Sequence, residues 1–159
     1  VGSFNAERKH HRVTDQVWRK NPDGGWQEAR AMRIERSSAC GAVYDTELYV
    51  FGGVNAQGEA VPTAEAYDPY ADRWRALKPR PRPVRPAGPN AQNGAAAAVI
   101  GNKIYVMGGE SFGTSTGVVD DTFEYDPAAD SWRSVAAMAR PRARAMICSR
   151  SRATKIPPW

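Results

Sequence analysis

Few residues of this chain have both the type and the spacing that chemistry requires. Its two histidines, His10 and His11, are adjacent in a polar leader, a placement suited to a solvated pair rather than to metal ligands. Cys40 and Cys148 have no metal-ligand spacing and form no disulfide framework, so two buried free thiols are expected. Asp120-Asp121 fall in a long loop, where adjacent acids face solvent. No phosphate-cradling Gly loop occurs. One feature remains that could hold a ligand. It is the pair Gly52-Gly53, closing an apolar run in "LYVFGGVNAQGEAVPTAEAYDP". No catalysis, cofactor or metal is expected from these residues.

Charge offers a second kind of chemistry. The chain has 159 residues, 22 Lys and Arg against 17 Asp and Glu, and a net charge of +5. The excess is local: Arg140, Arg142, Arg144, Arg150, Arg152 and Lys155 close the chain without an acid, and Arg73 to Arg85 form a second basic stretch. Such stretches could track phosphates, but the arginines alternate with Pro rather than with exposed aromatics. A generic basic surface is the better expectation, and nucleic acid is not an expected partner.

The Gly pair acquires a meaning from its twin. "IYVMGGESFGTSTGVVDDTFEYDP" repeats it, with Gly108-Gly109 offset by 56 from Gly52-Gly53. Tyr125-Asp126-Pro127 and Trp132 follow Tyr67-Asp68-Pro69 and Trp74 at an offset of 58. Met32 precedes Arg36 by four residues, as Met138 precedes Arg142. "VWRKNPDGGWQEARAM", with Trp18 and Trp26, reads as the worn end of a preceding repeat. Self-similarity at a period near 50 is the signature of a propeller-type array.

Four short strands are expected in each repeat, rich in β-branched and aromatic residues and bounded by Gly, Pro, Asn and Asp. The first repeat supplies "SSACGAVY", "LYVFGG", "AEAYD" and "RWRAL"; the second supplies "GAAAAVIG", "IYVMGG", "TFEYD" and "SWRSV". Pro69 and Pro127 cannot donate a ladder hydrogen bond, so each ends its strand. The Gly pairs permit positive φ and a close backbone passage. Tyr67, Trp74, Tyr125 and Trp132 supply the flat surface that a thin sheet needs against its neighbour. Arg36 and Arg142 are placed to hydrogen-bond carbonyls between sheets.

These residues (double Gly, Tyr, and Trp about six residues later) resemble the kelch repeat over about residues 13 to 150. The resemblance implies an all-β fold: a segment of a kelch-type β-propeller with two full four-stranded blades, about 36–78 and 94–136. Partial blades at 13–32 and 142–150 would flank them. Residues 1–12 would be a polar basic leader, disordered, and 151–159 a basic tail departing from the repeat. That count is too small to close a ring of four to eight blades. Leu, Ile, Val and Phe number only 24, a thin core. Open edges would then favour self-association. The Pro-rich link "KPRPRPVRPAGPN" should be extended and solvated, an insertion or a docking peptide.

The group most like this one is the kelch-like substrate adaptors of cullin-RING ubiquitin ligases, which implies a non-catalytic protein-interaction module. Contacts would come from the variable loops, through Asn55, Gln57, Glu59, Ser111, Phe112 and Thr114, with Arg36 and Arg142 added if they face the pore mouth. The rival is a fragment of a kelch-type enzyme, a sugar oxidase or a sialic acid epimerase. A truncated isoform without independent function is the third expectation. The start lacks the apolar core of a signal peptide and begins without Met, as an interior piece or a processed chain would. No run of about 18 apolar residues is present, so a cytoplasmic protein without a membrane span is expected.

Overall fold

Alternation of apolar and polar residues between Gly, Asp and Pro breaks makes this chain fold as a series of short strands. A computed structural model describes residues 3–4, 11–81, 94–111 and 117–141, with the backbone alone at 3, 4, 11, 12 and 111. The strands are β1 (Ser3–Phe4), β2 (His11–Arg12), β3 (Val17–Lys20), β4 (Trp26–Ala29), β5 (Cys40–Tyr44), β6 (Glu47–Phe51), β7 (Ala64–Asp68) and β8 (Arg73–Leu77). Then come β9 (Ala96–Ile100), β10 (Lys103–Met107), β11 (Glu110–Ser111), β12 (Gly117–Val118), β13 (Thr122–Asp126) and β14 (Ser131–Val135).

Two antiparallel four-stranded sheets dominate, β5-β6-β7-β8 and β9-β10-β13-β14. They are the two full blades expected from the repeat, and they do not close into a ring. The hairpin β3-β4 is the outer half of a preceding blade, while β1-β2 and β11-β12 are separate two-stranded ribbons. The third partial blade expected at 142–150, the bulk of the Pro-rich link (82–93) and the tail lie outside the described residues.

Register shows how closely the blades repeat. Tyr67 pairs across the ladder with Trp74, and Tyr125 pairs with Trp132. In the half-blade the same place is held by Lys20 opposite Trp26. Tyr49 sits beside Ala66, which sits beside Arg75; in the second blade the row is Tyr105, Glu124, Arg133. Partners in register share one face of a sheet, so each blade has a face toward the preceding unit and a face toward the next.

The core lies in the seams between units. Tyr49, Phe51, Ala64, Ala66 and Leu77 of the first blade bury themselves against Ile104, Val106 and Tyr125 of the second. Phe51 meets Tyr125 edge-on at 5.8 Å between ring centroids and Trp132 at 5.3 Å. Val17, Ala29 and Met32 pack in the same way against Val50, Tyr67 and Trp74. Small alanines let the sheets approach, and the aromatic rings fill what is left.

Candidate functional site

The glycine pairs set the geometry of the loop end of each blade. Gly52 and Gly53 have φ of 66° and 99°, and Gly108 and Gly109 have 62° and 111°. A Cβ at Gly53 would stand 2.6 Å from the carbonyl oxygen of Ser37. Positive φ and close passage are therefore both required, and only glycine offers them together. The pair is architecture rather than a ligand cradle.

From these glycines the two loops leave on matched stems. Gly52 N–H donates to Thr63 O (3.3 Å) and Gly108 N–H to Asp121 O (3.0 Å). Val61 N–H donates to Gly53 O and Val119 N–H to Gly109 O, both at 2.9 Å. Beyond the stems the loops diverge. In the first, the Asn55 side chain accepts from the N–H of Gln57 (3.0 Å) and Glu59 (2.8 Å), and its Nδ2 donates to the Glu59 carboxylate (2.9 Å). Asn55 and Glu59 thus hold the turn together, while Gln57 is exposed at its tip. In the second loop, β11 and β12 form a two-residue ladder that carries the Ser111 backbone. Phe112 and Thr114 lie outside the described residues.

Arg36 does not face solvent. It is wholly buried, so the expectation that it contacts a partner at the mouth is replaced by a structural role. Its Nη1 donates to the carbonyls of Gly52 (2.9 Å) and Thr63 (3.1 Å), the two stem residues of the first loop. Its Nη2 donates to Thr63 Oγ1 (3.0 Å) and Glu65 (2.6 Å). Burial lowers its pKa and the Glu65 carboxylate opposes that shift. It does bond carbonyls, but those of one blade's loop stems rather than carbonyls between adjacent sheets, and the fork fixes the loop from beneath. Arg142 lies outside the described residues.

In the second blade a different arginine reaches the corresponding place. Arg80 stands three residues after the end of β8, where Met32 and Met138 stand after β4 and β14. Its guanidinium lies 4.7 Å from the centroid of Phe123, the residue that replaces Glu65. Burial pushes it down to about 10, with Cys40 and Asp121 acting the other way. It lines a small crevice in the seam with Cys40, Thr63 and Trp132. The Cys40 thiol is pushed up to about 12 by burial, so it stays protonated, as expected for an inert core cysteine. In the sequence Arg80 stands out only as part of a basic stretch. Its register with the two methionines is the signal that could have found it.

A second missed pair is Asp72 and Asp130. Asp72 accepts from Tyr67 OH (2.6 Å) and from Arg30 N–H (2.8 Å), while Trp74 Nε1 donates to Arg30 O (2.7 Å). Asp130 accepts from Tyr125 OH (2.7 Å) and Lys78 N–H (3.0 Å), and Trp132 Nε1 donates to Lys78 O (2.9 Å). Each Asp–Trp pair grips both backbone groups of the residue that follows the preceding unit's last strand. Both Asp residues have positive φ, 47° and 44°, which aims the carboxylate backward across the seam. Their shared place, five residues after each repeat Tyr, was visible in the sequence.

Among the described residues no group of three or more His, Cys, Asp or Glu is placed to hold a metal ion. No helix among them is long and apolar enough to cross a membrane. His10 and Cys148 lie outside the described residues.

Matched blades, matched Gly stems and a repeated Tyr–Asp–Trp clamp define a blade array of the propeller type. The chain belongs to the kelch-repeat family: the Kelch motif matches residues 35–81 and 93–139. The kelch repeat and BTB domain-containing protein 12 of Homo sapiens is 29% identical over 119 residues, 70% of this chain and 19% of that protein. An N-acetylneuraminate epimerase of Haemophilus influenzae is 33% identical over 107 residues, 64% of this chain and 27% of that protein. The solved structure of YjhT superposes with a TM-score of 0.65 at 20% identity, over 81% of this chain and 46% of that one, a likeness of fold alone. The chain thus spans about a fifth to a quarter of the length of these curated relatives.

Proposed function

We propose that this chain is a non-catalytic recognition segment that binds a protein partner through the loop ends of its blades, as part of a substrate adaptor of a ubiquitin ligase. The observation that carries this reading is the contrast at the loop ends. Matching stem hydrogen bonds launch two loops that differ in sequence at their tips and, where both are described, in how they leave the stem. Rigid stems with variable tips are how a scaffold presents recognition residues without disturbing its core. The adaptor context rests on the kinship with a BTB-containing kelch protein. Asn55, Gln57 and Glu59 are the proposed contacts of the first loop; the exposure of Gln57 and Glu59 supports this reading, and Asn55 braces the turn that presents them. Ser111, Phe112 and Thr114 belong to the same proposed face, and Arg142 remains a proposed contact of the second arginine slot.

The test is to replace residues 55–59 by a Gly-Ser segment of equal length in the full-length protein. Loss of partner binding with an unchanged melting temperature supports the reading. Binding that survives the replacement and a matching one of 112–116 contradicts it.

A second reading is favoured by the kinship with an N-acetylneuraminate epimerase. Incubation with N-acetylneuraminate, followed by proton NMR, decides it. Enzyme-dependent epimerisation would replace the recognition reading; the expected result is none.

A further inference from the structure

An arginine drawn into a seam needs negative charge nearby, and the two blades meet that need differently. In the first blade Arg36 has the Glu65 carboxylate at 2.6 Å. In the second, Phe123 holds the place of Glu65, since it lies opposite Val106 as Glu65 lies opposite Val50. The ring attracts the Arg80 guanidinium from 4.7 Å but brings no charge of its own. Cys40 and Asp121 favour the cation, yet burial outweighs them and the net shift is down, to about 10. The surroundings therefore offset the desolvation of Arg80 only in part. The slot itself is apolar elsewhere: Met32, at the same distance from its preceding strand, is buried in the core.

The crevice that Arg80 lines has a volume of about 10 Å³, close to the room that one water-sized group needs. Phe51, Val61, Ala64, Val106 and Trp132 form its apolar walls, and Thr63 and Cys40 join Arg80 as its polar side chains. Thr63 Oγ1 accepts from Arg36 Nη2 at 3.0 Å, so its own hydrogen is left for another acceptor. The protonated Cys40 thiol is a weak donor, directed at Phe51 O at 3.7 Å. A guanidinium, a hydroxyl hydrogen and a thiol thus line the space, and among the described residues no carboxylate does. Donors set in an apolar wall suit an occupant that only accepts and that carries the missing charge. Water would serve the donors but not the charge.

We infer that this crevice binds one small monovalent anion of the chloride class, held between the Arg80 guanidinium and the Thr63 hydroxyl. The anion does in the seam what the Glu65 carboxylate does within the first blade. Val61 and Thr63 belong to the returning stem of the first loop, and Val106 belongs to the second blade. An occupied crevice therefore ties that stem to the neighbouring sheet, and the anion should stabilise the fold. Large organic anions are excluded by the size of the space.

The experiment titrates the full-length protein with chloride, holding ionic strength constant with gluconate, and follows the width of the chloride NMR line and the melting temperature. The wild-type protein should broaden the line saturably and melt higher in chloride than in gluconate. Arg80→Met restores the residue type of the Met32 slot and should keep the melting temperature seen in gluconate. It should weaken chloride binding at least about tenfold, as expected for losing one hydrogen bond to a charged group. Thr63→Val keeps the cation and the shape of the wall, and should weaken binding by a smaller factor. That second variant tests the site even if Arg80→Met alters the fold. A wild-type protein without saturable broadening, the behaviour of a crevice that holds water alone, overturns the inference. So does chloride binding that both variants leave unchanged, because the ion then sits elsewhere.

Discussion

Trp132 donates its indole N–H to the carbonyl of Lys78 at 2.9 Å, across the seam between two sheets. The ring it carries packs on Phe51 of the same neighbour. One side chain thus contributes both the apolar surface and the polar registration of the seam. Trp132→Phe keeps most of the surface and removes the donor. It should cost about 0.5–1.5 kcal/mol, the net worth of one hydrogen bond whose carbonyl water can reach. Trp74→Phe should match it at the other seam, and thermal unfolding followed by circular dichroism measures both.

Gly53→Ala tests the close passage. The new Cβ would meet the Ser37 carbonyl at 2.6 Å, and the backbone is held at φ 99°. Strain of this kind costs on the order of 1–3 kcal/mol before the clash is counted. Gly58→Ala has φ 76° but nothing within 4 Å, so it should cost less. The difference between the two melting temperatures isolates the contact from the dihedral.

Arg36 and Glu65 form a buried ion pair at 2.6 Å. Arg36→Met leaves the Glu65 carboxylate without its cation and should cost about 3–5 kcal/mol. Arg36→Met with Glu65→Leu should cost less than the single change, because no buried charge is left alone. Denaturant unfolding of the three variants gives the cycle; equal losses for the single and double variants would show that the pair is unimportant.

The clamp also predicts a response to acid. Asp72 is held below the usual carboxylate range by the hydrogen bonds from Tyr67 and the Arg30 N–H. For Asp130, burial pushes upward, but the bonds from Tyr125 and the Lys78 N–H outweigh it, and the net shift is down. A carboxyl that binds its proton more weakly when folded stabilises the fold above the unfolded value of about 3.9. That stability is lost as pH falls through the lowered folded value. The chain should therefore lose stability from about pH 4 downward, and Asp72→Asn with Asp130→Asn should flatten that dependence.

Much of this architecture was legible because the signals were local and repeated. Strands "AEAYD", "RWRAL", "TFEYD" and "SWRSV" end where Asp, Pro and Gly end them. The Gly pairs and the Tyr–Trp partners were equally plain, since each is a requirement of backbone or packing that tolerates few substitutes. The clamp was missed because Asp72 and Asp130 sit in turns, where Asp is common for local reasons; Asp68 and Asp126 serve their turns in just that way. Only the spatial return to Arg30 and Lys78 distinguishes them. That Asn55 and Glu59 also brace their own loop was not legible, because a variable polar stretch does not show which side chains bond within it. Arg80 escaped because it enters the seam from a Pro-rich link whose composition advertised solvent.

Recognition through the loop ends is tested most directly by a photo-crosslinking residue at Gln57 in the full-length protein in its native cells, compared with the same residue at Tyr70. Both positions are exposed, but Gln57 lies at the loop end of the first blade and Tyr70 at the opposite turn. A discrete protein adduct from position 57 and none from position 70 is the predicted result. Adducts from position 70 alone, or from neither position, would contradict it.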